Sequence, residues 1–139
     1  MDAAVLTSEH ALAAISEEWR SLDSRAARFP FADPALFEAW WRLRGRQGGR
    51  KLHVVTGRQD GRLVALAPQI VTRRWGMRVL EWGGDEIFDY CDALLEAQAW
   101  SEPLWDAIRR SGLYDFGLLR EIHPAASCHG VLGGFAQRV

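Results

Sequence analysis

Lysine is almost missing from this sequence: of seventeen basic residues only Lys51 is one, and the rest are arginine. The formal net charge is −1, so no excess of positive charge is there to hold nucleic acid or an anionic membrane. Apolar runs are short, and none approaches the roughly 20 residues of a membrane span. The opening Met1-Asp2-Ala3-Ala4-Val5-Leu6 has neither the basic start nor the long apolar stretch of a secretory signal. Cysteine is scarce too: Cys91 and Cys128 are far apart and form no CxxC pair, which reads as reduced thiols in a cytoplasmic protein. A G-x-S-x-G elbow, a Walker loop and an H-E-x-x-H pair are all lacking. What the chain does have is tryptophan, seven in 139 residues, which demands either a large aromatic core or an aromatic-lined groove. That length suits one domain able to bury roughly two thirds of its unfolded surface.

Periodicity supplies the elements. Thr7 or Ser8 can cap a first helix in which Leu12, Ile15, Trp19 and Leu22 recur at helical spacing. That pattern fades through residues 24–28 and must stop before Pro30. Asp33 caps a second helix with Pro34 in its first turn, and Leu36, Phe37, Trp40, Trp41 and Leu43 give it a broad apolar face up to Gly45. The period then changes to two. Residues 52–56 and 63–67 flank Asp60-Gly61, a strong hairpin signal, with Ile70 and Val71 extending the second strand and Pro68 suggesting a bulge or an edge. Trp75-Gly76 makes the next turn, into a strand over 78–82. After Gly83-Gly84 comes an acidic loop, then a short strand at 93–95. A third helix follows, with Ser101 as cap, Pro103 in its first turn and Gly112 at its end, and a strand over 114–119. Val5-Leu6 reads as a short opening strand.

Three segments carry a resemblance. Phe31-Ala32-Asp33-Pro34-Ala35-Leu36-Phe37-Glu38-Ala39-Trp40-Trp41, Leu63-Val64-Ala65-Leu66-Ala67-Pro68, and Leu80-Glu81-Trp82-Gly83-Gly84 followed by Asp89-Tyr90-Cys91-Asp92 are similar to segments of CelD-like proteins. Gln69 departs from the leucine expected after the second. This family, related to the FemAB peptidyltransferases, is often called cellulose biosynthesis protein CelD or GNAT family N-acetyltransferase. The resemblance implies an α/β (α+β), GNAT-like fold: a mostly antiparallel central sheet with helices on both faces, incomplete at its C-terminal end. It implies residues 1–122 as a GNAT-like N-terminal domain and 123–139 as a tail or connector toward a second half. Such halves pair, so a second GNAT-like half or another subunit is the expected partner, with a small molecule or sugar as acceptor. Acetyl-CoA or another acyl-CoA is the cofactor expected of a full family member.

The loop that would hold that cofactor is not in this sequence. A GNAT enzyme clasps the CoA diphosphate with Q/R-x-x-G-x-G/A, whose glycines let backbone N–H groups come close at a helix N-terminus. Arg73-Arg74-Trp75-Gly76-Met77-Arg78 and Arg46-Gln47-Gly48-Gly49-Arg50-Lys51 each end in a long basic side chain and precede strands. Between Trp82 and Ser101, where the loop belongs, the chain is acidic. No cofactor-binding residue and no metal ligand set is therefore assigned. Arginine side chains could grip phosphate instead, from Arg42, Arg44, Arg46, Arg50 and Lys51 or from Arg73, Arg74 and Arg78. The simpler reading of both clusters is a solvated surface.

No catalytic residue is identified. Asp89, Tyr90 and Asp92 could bind an amine or a sugar hydroxyl or supply a general base, and the plainer alternative is an acidic turn whose ring packs on the core. Trp40 and Trp41, adjacent on a helix, cannot fully share one face, so one can face the core and the other a groove or partner, with core packing the favoured role for both. Cys128 with His123 and His129 is too small a set for a metal. The expected function is thus the non-catalytic N-terminal half of a GNAT-type acyltransferase, contributing to acceptor binding or packing on a catalytic half. Alternatives are a binding or assembly module with a Trp-rich surface for a sugar or protein, and a complete enzyme using the 89–92 loop.

Overall fold

The computed structural model describes residues 1–26, 33–123, 125–126 and 128, and the backbone of 136–137. The chain runs β1 (Asp2–Leu6), α1 (Glu9–Ala14), α2 (Ser16–Arg25), α3 (Pro34–Trp40), β2 (Lys51–Gln59), β3 (Arg62–Arg74), β4 (Met77–Trp82), β5 (Leu94–Leu95), α4 (Ser101–Arg110), β6 (Phe116–Leu119) and β7 (Ala136–Gln137). It is an α+β protein with an open, mixed, mostly antiparallel sheet in the order β1-β2-β3-β4-β6-β7. β1 to β4 pair antiparallel, β4–β6 and β6–β7 parallel. The expected opening strand, the three central strands and the strand after the last helix are all present. β7 adds a rung beyond β6 from within the tail, whose Val131, Leu132 and Phe135 lie outside the described residues. Among the described residues no helix is long and apolar enough to cross a membrane.

Both hairpins follow their turn residues. Asp60-Gly61 and Trp75-Gly76 all have positive φ, the requirement of a type I′ turn that matches strand twist. Asp33 caps α3 as expected, its carboxylate accepting from the Ala35 amide at 2.7 Å. Ser8 caps α1 in the same manner, accepting from Ala11 at 3.1 Å.

The helices depart from expectation in three places. The first helix is two, broken at Ile15 (φ −102°, ψ 3°), yet Leu12, Ile15, Trp19 and Leu22 all stay in the core. α3 passes at Trp41 into a π-helical turn, Trp41–Gly45. Ser101 does not cap α4: a 3₁₀ turn, Gln98–Trp100, precedes it, so Ser101 is already helical and buried.

Pro68 is neither at an edge nor at a bulge. It sits inside β3, opposite Val54 of β2. On its other side β3 passes from β5, which pairs at Ala65 and Leu66, to β4, which begins pairing at Gln69. β5 and β4 are thus two pieces of one neighbour. Pro68 lies at the break, where its oxygen accepts from the Gly83 amide at 3.0 Å and a donor is not required.

Alternation along the strands sorts the residues into two faces. From Ala65 on, odd-numbered positions of β3 share a face with His53 and Trp82, and α4 covers it: Trp105 meets Trp82 edge-on at 5.9 Å and Ser111 contacts His53 at 2.9 Å. The even-numbered face is covered by α2 and α3, where the tilted rings of Trp19, Phe37 and Trp40 follow one another with centroids 5.4 and 5.7 Å apart. Five of the seven tryptophans are buried (Trp19, Trp40, Trp41, Trp82 and Trp105) and Trp100 is half-buried. Core packing therefore takes most of the tryptophan that the sequence also allowed to be a binding surface; Trp75 alone is widely exposed, at 75 %.

Candidate functional site: a charged row on the sheet

Glu81 follows Leu80 and precedes Trp82, so the pleat turns it away from both, onto the face of α2 and α3. It is buried, only 2 % exposed. A carboxylate there must be matched by positive charge. Arg74, near the end of β3, brings Nη2 to 2.9 Å from Glu81 Oε1, as an ion pair without hydrogen-bond alignment. Arg120, just past β6, brings Nη2 to 3.8 Å from the same oxygen. Three strands therefore contribute to one ion cluster.

Arg120 also reaches Asp85 as a fork: Nε donates to Oδ2 at 3.2 Å and Nη2 to Oδ1 at 3.1 Å. Asp85 is buried as well, and its pKa is pushed up to about 6. Burial is the largest cause, and the neighbouring charges of Glu81 and Glu86 add to it; Arg120 opposes them without cancelling them. A carboxyl that titrates near neutral pH can hold or release a proton, the property a general acid or base needs. Glu86 extends the row, accepting from Trp40 Nε1 at 3.1 Å and pairing with Arg50 at 3.6 Å.

The segment that positions Asp85 and Glu86 depends on Gly83 and Gly84. A Cβ at Gly83 would stand 2.2 Å from Phe37 Cε2, and one at Gly84, whose φ is +79°, 2.3 Å from Phe88 Cε2. These glycines are required by aromatic rings packed onto the main chain.

The residues singled out in the sequence fall elsewhere. Asp89 is exposed. Tyr90 is 42 % exposed and meets the His123 ring edge-on at 4.8 Å. Asp92 turns back to accept from the Ala93 amide at 2.8 Å, and it lies by Cys128, whose thiol is pushed up to about 12, by burial first and then by that carboxylate. Trp40 and Trp41 are both buried, in the core-packing role and not the groove one; the π turn beginning at Trp41 lets adjacent rings sit 6.2 Å apart in the core. Each indole N–H finds a carboxylate, Glu86 for Trp40 and Glu9 for Trp41. Trp41 nonetheless borders a shallow groove of about 210 Å³ with Leu12 and Ala13 of α1.

Cys91 and Cys128 are both free, buried and raised well above the ordinary thiol range by burial, so neither is poised as a thiolate. Among the described residues no group of three metal-ligating side chains occurs, and His129 lies outside them. Sequence reading passed over Glu81, Asp85 and Arg120. One signal was present: a glutamate between Leu80 and Trp82 in a strand must either reach solvent or find buried partners.

The chain matches no family model, no curated protein and no solved structure.

Proposed function

We propose that this chain is a GNAT-like domain acting as the non-catalytic, N-terminal half of a GNAT-type acyltransferase, where it shapes an acceptor site or packs on a catalytic half. Its element order supports the reading: an opening strand, helices, three antiparallel strands, then α4 carrying the chain to β6, parallel to β4. The non-catalytic part rests on one observation. In an acyl-CoA site the amides after the fourth strand face a diphosphate; here the rings of Phe37 and Phe88 occupy the space beside Gly83 and Gly84. Asp85 and Glu86 follow at once, and Glu96 and Glu102 flank the start of α4 in sequence, so the stretch that would face a diphosphate is rich in carboxylates. These residues do not fit the CoA diphosphate. The charged row around Asp85 is suited instead to an amine or hydroxyl acceptor.

Amide shifts of the ¹⁵N-labelled chain during titration with acetyl-CoA test the reading. Amides of residues 83–100 are expected to stay in place up to millimolar ligand. Saturable shifts there at micromolar ligand overturn it. The assembly-module alternative loses support from the buried tryptophans and now depends on Trp75, stacked on Phe116 at 6.4 Å.

A further inference from the structure

The pleat sends neighbouring basic residues of the central strands to opposite faces of the sheet. Arg74 goes to Glu81 on the face of α2 and α3, and Arg50 pairs with Glu86. Arg73 goes the other way. Register sets Lys51 opposite Val71 and Arg73 opposite Arg78, and all four share the α4 face with His53, Gln69 and Trp82. Lys51 and Arg73 are therefore diagonal neighbours on adjacent strands, a separation that long side chains span.

α4 ends over this part of the sheet. Its last helical residue is Arg110, Ser111 meets His53 at 2.9 Å, and Gly112 turns the chain at φ +68°. Beside that end lies a pocket of about 480 Å³, whose walls include Lys51, His53, Val71, Arg73, Arg78 and Leu113. The volume is in the range of small-molecule sites, about 300–1,000 Å³.

The charges around it do not balance. Arg78 is committed to Asp115, whose carboxylate accepts from its side chain at 3.0 Å and from its amide at 2.7 Å. Those bonds first, and the nearby Arg73 charge last, hold the Asp115 carboxyl below its ordinary range, which sets Arg73 on this side of the sheet. Neither the Arg73 nor the Lys51 side chain forms an ion pair or hydrogen bond among the described residues. Three cations thus answer one carboxylate, and like charges around a concave site raise the local concentration of anions. At the floor, His53 is fully buried, with Nε2 taken by Ser111 and Nδ1 in no aligned hydrogen bond. Burial lowers its pKa, so above the ordinary value of 6.5 the floor is polar but uncharged. Val71 and the 41 % exposed Leu113 make part of the wall apolar.

We propose that this pocket binds a small organic acid, its carboxylate held by Lys51 and Arg73 and its apolar body lodged against Val71 and Leu113. One guanidinium fork matches one carboxylate, and the ammonium adds charge without demanding a second anionic group. The apolar wall favours a hydrocarbon body, which inorganic phosphate lacks. The pocket lies across the sheet from Glu81 and uses no residue of 83–100, so it goes beyond the proposed function and fails separately from it.

Amide shifts of the ¹⁵N-labelled chain titrated with benzoate at low salt test the proposal. Saturable shifts are expected at residues 51–53, 71–73 and 113, with a dissociation constant of about 1 mM or tighter. Lys51→Gln and Arg73→Gln, both at exposed positions, should each weaken binding about fivefold or more and leave the rest of the spectrum in place. Arg44→Gln removes a cation outside the pocket and should change nothing. Benzamide, the same ring without the charge, should bind about tenfold more weakly. Absence of saturation at millimolar benzoate, equal binding of benzamide, or an equal loss in the Arg44 variant overturns the proposal. Tighter binding of inorganic phosphate than of benzoate, with shifts at the same residues, overturns it as well.

Discussion

The two faces of the central sheet are built from the same strands, one residue out of phase, yet they solve burial in different ways. Under α4 the buried polar groups are neutral: His53, paired with Ser111, and Gln69 opposite it in the ladder. Bulky rings, Trp82 and Trp105, fill the space between. Across the sheet, beyond the cover of α2 and α3, Glu81 and Asp85 are buried as carboxylates and held by Arg74 and Arg120. Neutral burial gives tight packing, and of the groups buried on this face only His53 can take up a charge, in acid. Buried charge costs desolvation, is repaid only in part by pairing, and leaves groups that respond to pH or to a charged ligand. The contrast places the neutral, ring-packed groups on one side of the sheet and the buried charges on the other.

The sharpest way to break this contrast is Trp105→Ala. Removing a fully buried ring under α4 should lower the unfolding free energy by about 3–5 kcal/mol in a urea titration. A loss below about 1 kcal/mol would mean that the α4 face is not the tightly packed one.

Titration should divide the faces by sign. Burial lowers the His53 pKa, so its contribution is present above the ordinary value of 6.5 and is lost as pH falls below it. Asp85 is raised from 3.8 to about 6, so its contribution is present below 3.8 and is lost as pH rises through about 6. Asp85→Asn should therefore gain stability over the wild type as pH climbs from 4 to 6.5, by about 1–3 kcal/mol, with the two proteins converging below pH 4. His53→Gln should remove the loss below pH 6.5. Parallel curves for wild type and Asp85→Asn across this range would contradict the burial of that charge.

The smallest effect belongs to Trp75→Asn. The substitution gives up stacking on Phe116 but suits φ +53° better, as asparagine tolerates the left-handed region. The melting free energy should move by less than about 0.5 kcal/mol, against the large loss at buried Trp105.

Local chemistry made much of the fold legible. Asp60-Gly61 and Trp75-Gly76 fixed the hairpins, and Asp33-Pro34 fixed where α3 starts, because each acts within a few residues. The break at Ile15 left no trace in the pattern, since a single non-helical residue preserved the phase of Leu12, Trp19 and Leu22. The π turn was hidden for a related reason: adjacent tryptophans look incompatible on a regular helix, and only a widened turn reconciles them. The charged row was the least legible part. Glu81 draws its partners from positions 74 and 120, and that pairing depends on sheet order, which no local signal contains. The loop at 85–92 drew attention for Asp89, Tyr90 and Asp92; of its carboxylates Asp85, closest to the glycines, is the buried one.

One feature of the sheet gives the molecule room to change. The neighbour of β3 is severed at Pro68, and both stumps stay fastened, β4 on one flank of the proline and β5 on the other. Residues 83–93 leave and return at nearly the same rung. Lengthening a closed loop of this kind costs only logarithmically in entropy. Insertion after Phe88 would thus lengthen this loop while every rung below keeps its register.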